Sequence, residues 1–400
     1  MKLVICEKNI AARRISAILS NGNSKQKRIE NVPFYEFDKN DELWKVIGLK
    51  GHILETDYPS DFNVWWHISP RKLIDIPPEK RINQKDIAEA LKSLVNNNPF
   101  VIIATDYDRE GELIGVEVID YLQKQYQISK IKRAKFSAFT KYEITEAFNN
   151  LTNLDYNLSS AGESRQLIDL IWGVVLTRFI SLTANKTGKE YLSIGRVQSP
   201  TLSLLVKREE EIQAFKPKPF WTLSARMYKD FFFEAKHQKD KFWSNQEVIE
   251  IYNRICDATD AEVTDVKKRQ NTETPPSPFS TTTFLQAASY LRLSAPQAMK
   301  IAEELYMDGL ISYPRTDNTV YPKSLGFDEI LNKLRQTSFG RDVEIVMKHK
   351  RTYPKSGKKK TTDHPPIHPV STPAKELIGQ KRKIYELIVR RFLATLTEDA

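Results

Sequence analysis

The chain has 400 residues, 40% of them hydrophobic, and carries 61 Lys and Arg against 51 Asp and Glu, a formal net charge of +10. That length predicts roughly two to four domains, and the hydrophobic share excludes wholesale disorder. The positive excess points to a polyanionic partner without identifying it. The two cysteines, Cys6 and Cys256, exclude a four-thiolate zinc site and a disulfide framework, and fit a reducing cytosol. The opening MKLVICEK is too short an apolar run for a signal peptide. No stretch reads as the roughly 18 consecutive apolar residues of a membrane span, so no membrane is expected.

In chain order, Leu3–Cys6 reads as a buried parallel strand that leads through Glu7 and Lys8 into a helix over Ile10–Leu19, stopped by Asn21-Gly22. Lys45–Leu49 predicts a strand, Ile87–Val95 a helix, Phe100–Ala104 another strand, and Leu113–Leu122 the helix after the acidic segment Asp106–Glu112. This alternation predicts a doubly wound parallel sheet over residues 1–150, with its site at the carboxyl ends of the strands. From Leu151 the pattern turns helical, through Ala161–Leu182 and Gln198–Glu211. Past the joint Lys216–Pro219, three segments predict strands: Trp221–Tyr228, Phe231–Lys236 and Val263–Val266. Pro275–Pro278 opens a second helical block, with helices over Thr281–Ser289, Ala295–Asp308 and Tyr385–Thr395. Lys348–Lys360 is a basic surface loop; a merely solvated loop and nonspecific contact with a polyanion fit it equally.

Asp106, Asp108 and Glu110 alternate in ATDYDREGE directly after an apolar strand. In an extended turn alternate residues point the same way, so the three acids converge. Such a cluster repels itself unless a cation intervenes, and oxygen-only ligation suits Mg²⁺. The plain alternative is a solvated loop whose aspartates cap the next helix. Glu7 and Lys8 end the first strand, and parallel strand ends can lie side by side, which would bring Lys8 to a phosphate beside the acids. An acid after one strand with D-x-D-x-E after another resembles the TOPRIM domain of topoisomerases, primases and some nucleases. Asn9-Ile10 departs from the Pro-Ser that usually follows Glu-Lys in that family, which alters the helix entrance but keeps both charged groups.

In GLISYPRTD, Gly309 to Asp317, Tyr313 follows a helix and Arg315 comes two residues later. A phenol with a pKa near 10 is a poor nucleophile at neutral pH, and a neighbouring guanidinium can favour the phenolate and hold a phosphate oxygen. That string, with PPSPFSTTTFLQ upstream (Pro275–Gln286), resembles the active-site tyrosine region of type IA DNA topoisomerases. SIGRVQSPTL (Ser193–Leu202) resembles the family's strand-binding helix start and carries Ser193, Arg196 and Gln198. SRQLIDLIWG (Ser164–Gly173) resembles the segment that places Arg165 and Asp169 beside it, and DHPPIHP (Asp363–Pro369) resembles the motif that places His364 near the nucleophile. The motifs stand in family order across nearly the whole chain. The chain's beginning and its lack of cysteine clusters resemble archaeal topoisomerases and topoisomerase III. No G-x-x-x-x-G-K-[ST] string occurs in these 400 residues, so a fused P-loop motor is not expected.

The resemblance implies a multidomain α/β and α fold: a TOPRIM domain over residues 1–150, a helical strand-binding base over 151–215, a β-rich gate arch over 216–274, and a helical domain with the catalytic tyrosine over 275–400. It implies an ATP-independent, DNA-associated cytoplasmic enzyme, a monomer, that acts on a single-stranded segment of negatively supercoiled DNA. Tyr313 would form a 5′-phosphotyrosine, with Lys8 and Arg315 stabilising the transition state and His364 beside the nucleophile. Glu7 or Lys8 would protonate the leaving oxygen. Asp106, Asp108, Glu110 and Glu7 would hold Mg²⁺ and align the ends for resealing. In the family the chain continues beyond the position of Ala400 with the rest of the arch and base, so a truncated or split enzyme that needs the remaining part is expected. Two alternatives stay open: a TOPRIM nucleotidyl transferase or nuclease that does not need Tyr313, and a DNA-binding fragment without strand passage.

Overall fold

The computed structural model of the protein describes residues 1–95, 98–349, 351, 353–361 and 363–400. Two compact units result, one of residues 1–193 with 272–400 and one of residues 194–271.

The larger unit begins with β1 (Lys2–Cys6) and α1 (Asn9–Leu19), which Asn21 and Gly22 end in left-handed conformations. There follow β2 (Lys25–Ile29), β3 (Val32–Lys39), β4 (Glu42–Gly48), the small antiparallel ribbon of β5 (Leu54–Asp57) and β6 (Glu79–Ile82), α2 (Lys85–Leu94), β7 (Phe100–Ile103), α3 (Arg109–Gln123), β8 (Lys130–Arg133), α4 (Lys141–Asn149) and the long α5 (Tyr156–Thr183). The main sheet has the order β2-β3-β4-β1-β7-β8. Strands β4, β1 and β7 are parallel, as the alternating pattern predicts, and β8, which that pattern does not mark, continues the parallel set. The antiparallel β2-β3 pair at one edge was not foreseen, because its outer strand is almost wholly polar and exposed. Along β1 the period of two divides the sheet's faces: Val4 and Cys6 pack with α1 and α4, whereas Leu3 and Ile5 pack with α2 and α3. All four side chains are fully buried, each aliphatic one contributing about 1.5–3 kcal/mol relative to exposure.

Helix α5 corrects one expectation. It holds an 18-residue window of mean hydropathy 1.4, so by length and composition alone it is apolar enough to cross a membrane. Counting uninterrupted apolar residues misses it because Asp169 and Arg178 break the run. In the structure Val175 packs with Tyr58 and Leu73, and Arg178 donates to the carbonyl of Phe62, while Ile168 and Phe179 stay exposed.

The smaller unit contains α6 (Gln198–Ala214), a hairpin of β9 (Ser224–Lys229) and β10 (Phe231–Lys236) that turns at Asp230, and α7 (Asn245–Ile255). The strand expected over Trp221–Tyr228 starts later, at Ser224, and Trp221 makes only an isolated bridge to Phe242. Val263–Val266 is not a strand. Both valines are exposed, and β-branched side chains without a neighbouring strand to pair have no reason to hold an extended ladder.

The chain returns to the larger unit with α8 (Thr281–Ser289), α9 (Ala295–Met307), α10 (Phe327–Arg335), α11 (Gly340–Lys348) and α12 (Gly379–Ala394). Reciprocal capping boxes start α8 at Ser280/Thr283 and α9 at Ser294/Gln297. The apolar cluster on the α1 side of the sheet continues into Phe284, Ala302, Tyr306, Ile388 and Phe392, so sheet and tyrosine-bearing helices share one core. Within the basic run, Lys350 and Thr352 lie outside the described residues. Of the others, Lys348 closes α11, Arg351 pairs with Asp399 at 2.7 Å and Lys359 with Asp317 at 2.6 Å.

One fully buried ion pair braces the edge where these parts meet. Arg133, at the end of β8, donates through Nε to Glu112 at 2.8 Å and through its terminal nitrogens to the carbonyls of Ala134, Ile103 and Asp106. Glu112 in turn accepts the amide of Asp155, the N-cap of α5, at 2.7 Å. Deleting one member strands a buried charge, so Glu112→Ala should destabilise the chain by about 3–5 kcal/mol. Denaturant unfolding checks this; a loss under about 1 kcal/mol would mean that water or another group takes over the guanidinium.

Candidate active site

The site grows from two adjacent strand ends. Ile5 of β1 and Ile103 of β7 are in register, so Glu7 and Asp106 leave the sheet side by side. Asp106 is 8% exposed, its backbone carbonyl held by Arg133. Asp108 is the N-cap of α3 and accepts the Gly111 amide at 2.8 Å, so the helix-cap reading of the acidic loop is true of this residue as well. Gly111 is required there, since a Cβ would stand 2.1 Å from the Asp106 carbonyl oxygen.

The helix starts at Arg109, so the alternate-residue argument serves Asp106 and Asp108 and fails at Glu110. Glu110 lies in the first helical turn and meets His52 Nε2 at 3.4 Å and Arg165 at 3.7 Å. His52 Nδ1 is 2.9 Å from Glu117, which Lys80 approaches to 3.5 Å while reaching Glu163 on α5 at 2.6 Å. Burial pushes the His52 pKa down, but Glu117 and Glu110 outweigh it and the net shift is upward. The third acid of the motif therefore belongs to a network with α5.

The second half-site comes from the end of α9. Gly309 turns the chain in the left-handed region at φ +62°, where a Cβ would fall 2.6 Å from the Phe139 carbonyl oxygen and 2.2 Å from Arg14 Nη2. Arg14 of α1 clasps this turn, donating to the carbonyls of Phe139 and Met307, both at 3.0 Å. Beyond it the Ser312 amide donates to His368 and the Tyr313 amide to Ser137, at 3.0 and 2.9 Å. Tyr313 Oη then donates to Asp108 Oδ2 at 2.5 Å, and Tyr306 Oη to Asp106 Oδ1 at 3.1 Å. Residues 205 apart in sequence thus meet at one hydrogen bond.

His364 lies against the Tyr313 ring, centroids 4.5 Å apart. Its Nε2 is 2.8 Å from the Tyr107 carbonyl oxygen, which can only accept, so Nε2 carries the proton and Nδ1 accepts from Ser137 Oγ at 3.0 Å. Burial lowers its pKa, keeping the ring neutral. Arg315 is paired to Glu303, its Nε 3.1 Å from the carboxylate, and Lys8 Nζ is 3.7 Å from Glu7.

Burial, then the charges of Glu7 and Asp108, push the Asp106 carboxyl up to about 7. Burial also raises Glu7, against the pull of Lys8. For Tyr313, burial and then the two aspartates raise the pKa far beyond that of a free phenol, and Arg315 only partly opposes them. Arg315 favours the phenolate, as expected of a neighbouring guanidinium, but in the docked state it is outweighed and the phenol is a protonated donor. Among the described residues no group of three His, Cys, Asp or Glu side chains is arranged as a ready-made metal cage. Mg²⁺ commonly binds through one or two carboxylates and completes its shell with water and phosphate oxygens, so Asp106 through Oδ2, with Glu7 beside it and Asp108 where Tyr313 leaves it, fits the ion.

Arg165 and Asp169 lie on α5, and Ser193 is the last residue of the larger unit's first segment. Arg196 and Gln198 belong to the smaller unit, Gln198 as the first residue of α6. Sequence reasoning missed Tyr306, Ser137, Glu303 and the Arg133–Glu112 pair. Tyr306 had a faint signal, an aromatic in the last turn of the helix that precedes the nucleophile; Ser137 had none.

Because Asp106 holds a proton up to about pH 7, cation binding there must displace it below that pH. Mg²⁺ affinity should fall as pH drops from 8 to 6, approaching about tenfold per unit at the acid end for one competing proton. Calorimetric titration at pH 6, 7 and 8 checks this; equal affinities would show that Asp106 is already ionised.

A family model for the Toprim domain matches residues 2–139, and one for DNA topoisomerase matches residues 153–400. The chain is 43% identical over 398 residues to DNA topoisomerase 1 of Thermoplasma acidophilum, a match that covers 100% of this chain and 51% of that protein. It is also 43% identical to DNA topoisomerase 1 of Archaeoglobus fulgidus, covering 100% and 58%, and 32% identical to human DNA topoisomerase 3-alpha, covering 100% and 41%. Among solved structures, full-length topoisomerase I from Thermotoga maritima superimposes with a TM-score of 0.70 at 27% identity, covering 99% of this chain and 61% of that one. The chain spans about half the length of the curated relatives it matches.

Proposed function

The chain belongs to the type IA DNA topoisomerases, and on that premise we propose that it carries their strand-cutting chemistry, with Tyr313 as nucleophile. The observation that carries this reading is the meeting of Tyr313 with Asp108 across 205 residues, at the sheet edge where Glu7, Lys8 and Asp106 also lie. A TOPRIM nuclease has no use for a phenol at that point.

In the proposed reaction a DNA phosphate enters between the strand ends and the tyrosine turn. Tyr313 Oη attacks phosphorus, the bond to the 3′ oxygen breaks, and the 5′ phosphate becomes esterified to tyrosine. The phenolic proton passes to Asp108, already its acceptor. Lys8 and Arg315, once Arg315 turns from Glu303 to the phosphate, stabilise the charge gathering on the phosphoryl oxygens. The leaving 3′ oxygen takes its proton from Lys8 or Glu7, which lie together. His364, with both nitrogens engaged, holds the Tyr313 ring in place. Asp106 and Asp108, with Glu7, would hold Mg²⁺, which supplies charge that aligns the two ends for resealing; Glu110 would join only by leaving Arg165 and His52. One ester replaces another, so no ATP is needed.

Arg165, Asp169, Ser193, Arg196 and Gln198 are proposed to grip the single strand. Separation of the tyrosine turn from the sheet edge would open the cut for strand passage in negatively supercoiled DNA. We assign this chain binding and cleavage, and assign relaxation to the protein with the further length its relatives have.

The test is suicide cleavage of a 3′-labelled oligonucleotide. The parent should retain label on protein and Tyr313→Phe should retain none, with strand binding changed by no more than a fewfold. Label on the Phe variant would overturn the assignment. Lys8→Ala and Arg315→Ala should each slow single-turnover cleavage by ~10²–10³. A parent-like rate in either would remove its role. Asp106 and Asp108 replaced together by Asn should cleave more slowly, because Asp108 no longer takes the phenolic proton, and the cleaved complex that does form should reseal poorly. Resealing at the parent rate in that variant would reduce the aspartates to loop and cap residues.

A further inference from the structure

Tyr306 belongs to none of the motifs read from the sequence, yet it is the second hydroxyl at the site. It is 1% exposed, and its ring is wedged between Phe139 at 4.9 Å and Tyr313 at 5.2 Å. A core position packed this way would be filled more simply by Phe, because a buried phenol costs free energy unless its hydroxyl is satisfied. Here the hydroxyl is spent on Asp106 Oδ1 at 3.1 Å. The Asp106 main chain is already fixed by Arg133, so the remaining freedom of this residue is rotation of its carboxylate. Tyr306 Oη stops that rotation and leaves the second oxygen available.

Tyr306 is also one residue before the carbonyl that Arg14 clasps at 3.0 Å, at the last turn of α9. Its hydroxyl therefore reaches Asp106 only when the end of α9 is docked on the sheet. We infer that Tyr306 is a positioning residue which orients Asp106 for a divalent cation, so that cation affinity depends on docking of the tyrosine segment. By reciprocity, the cation favours the docked state by the same factor. The inference rests on Asp106 being a cation ligand, as in the function proposed above. It adds that the segment carrying the nucleophile completes the cation site from the other side.

The test uses the 400-residue chain without DNA and Mn²⁺ as the probe, its binding read by electron paramagnetic resonance. Loss of a group that orients a metal ligand commonly costs 10–100-fold in affinity, so Tyr306→Phe should bind Mn²⁺ about tenfold more weakly. In an Asp106→Asn background the same change should cost less than about twofold, which a merely structural role would not produce. Arg14→Gln, which loosens the clasp without touching Asp106, should also weaken binding and serves if Tyr306→Phe folds poorly. Mn²⁺ should raise the thermal midpoint of the parent more than that of either variant. Parent-like affinity in Tyr306→Phe, an equal loss in the Asp106→Asn background, or no Mn²⁺ binding by the parent would overturn the inference. Failure of the parent to trap DNA, with the Mn²⁺ effects intact, would instead overturn the transesterification reading and leave Tyr306 in its role.

Discussion

Two phenolic hydroxyls resting on two aspartates, Tyr313 on Asp108 and Tyr306 on Asp106, are the contact on which the rest of the structure depends. Carboxylates gathered at the end of a parallel sheet repel one another, and burial makes their ionisation harder still. The fold surrounds them with donors from every side: Arg133 beneath through the Asp106 carbonyl, Lys8 beside Glu7, the Gly111 amide on Asp108, and the two phenols above. The need for them is greatest at Asp106, which is buried; Glu7 and Asp108 keep part of their surface in contact with solvent. The same contacts keep Tyr313 protonated, since the aspartates that hold it also raise its pKa. The docked arrangement is thus a resting one. Positive charge brought to the aspartates, or a phosphate that draws Arg315 off Glu303, shifts the balance toward the phenolate.

The supporting structure explains how elements so distant in sequence hold this geometry. A single apolar cluster runs from one face of the sheet into α8, α9 and α12, which sets the tyrosine-bearing helices against the strand ends. Polar links then fix the register: Tyr313 amide to Ser137, His364 to Ser137 and Tyr107, Arg14 to Met307. Gly309 lets the chain turn inside the Arg14 clasp, where a side chain would collide. Most of these links join residues 100 or more positions apart, and separating the segments breaks all of them together.

The sequence was most legible where local chemistry and period agree. The apolar runs of β1 and β7, the Asn21-Gly22 stop and the capping residues of α8 and α9 determine local structure by themselves, and the elements formed where the pattern places them. It was least legible where tertiary contact decides. Strand β2 has no apolar alternation, and Val263–Val266 has β propensity but nothing to pair with. At the site, Tyr313, Asp106, Asp108, Glu7 and His364 could be singled out from motifs, and the structure brings these five together. Glu110 sits in the first turn of α3, which starts at Arg109, so the alternation of an extended turn stops at Asp108 and does not reach it. Ser137 and Glu303 were invisible, and Tyr306 nearly so, because their roles come from partners on other elements.

The most direct test of the account is to find the atom that carries the DNA. The chain is trapped on a single-stranded oligonucleotide, digested, and the modified peptide sequenced by mass spectrometry. The account predicts the 5′-phosphoryl nucleotide mass on Tyr313, in the peptide that includes Pro314 and Arg315. Adduct on any other residue, or a chain that binds the strand and leaves it intact, would contradict it.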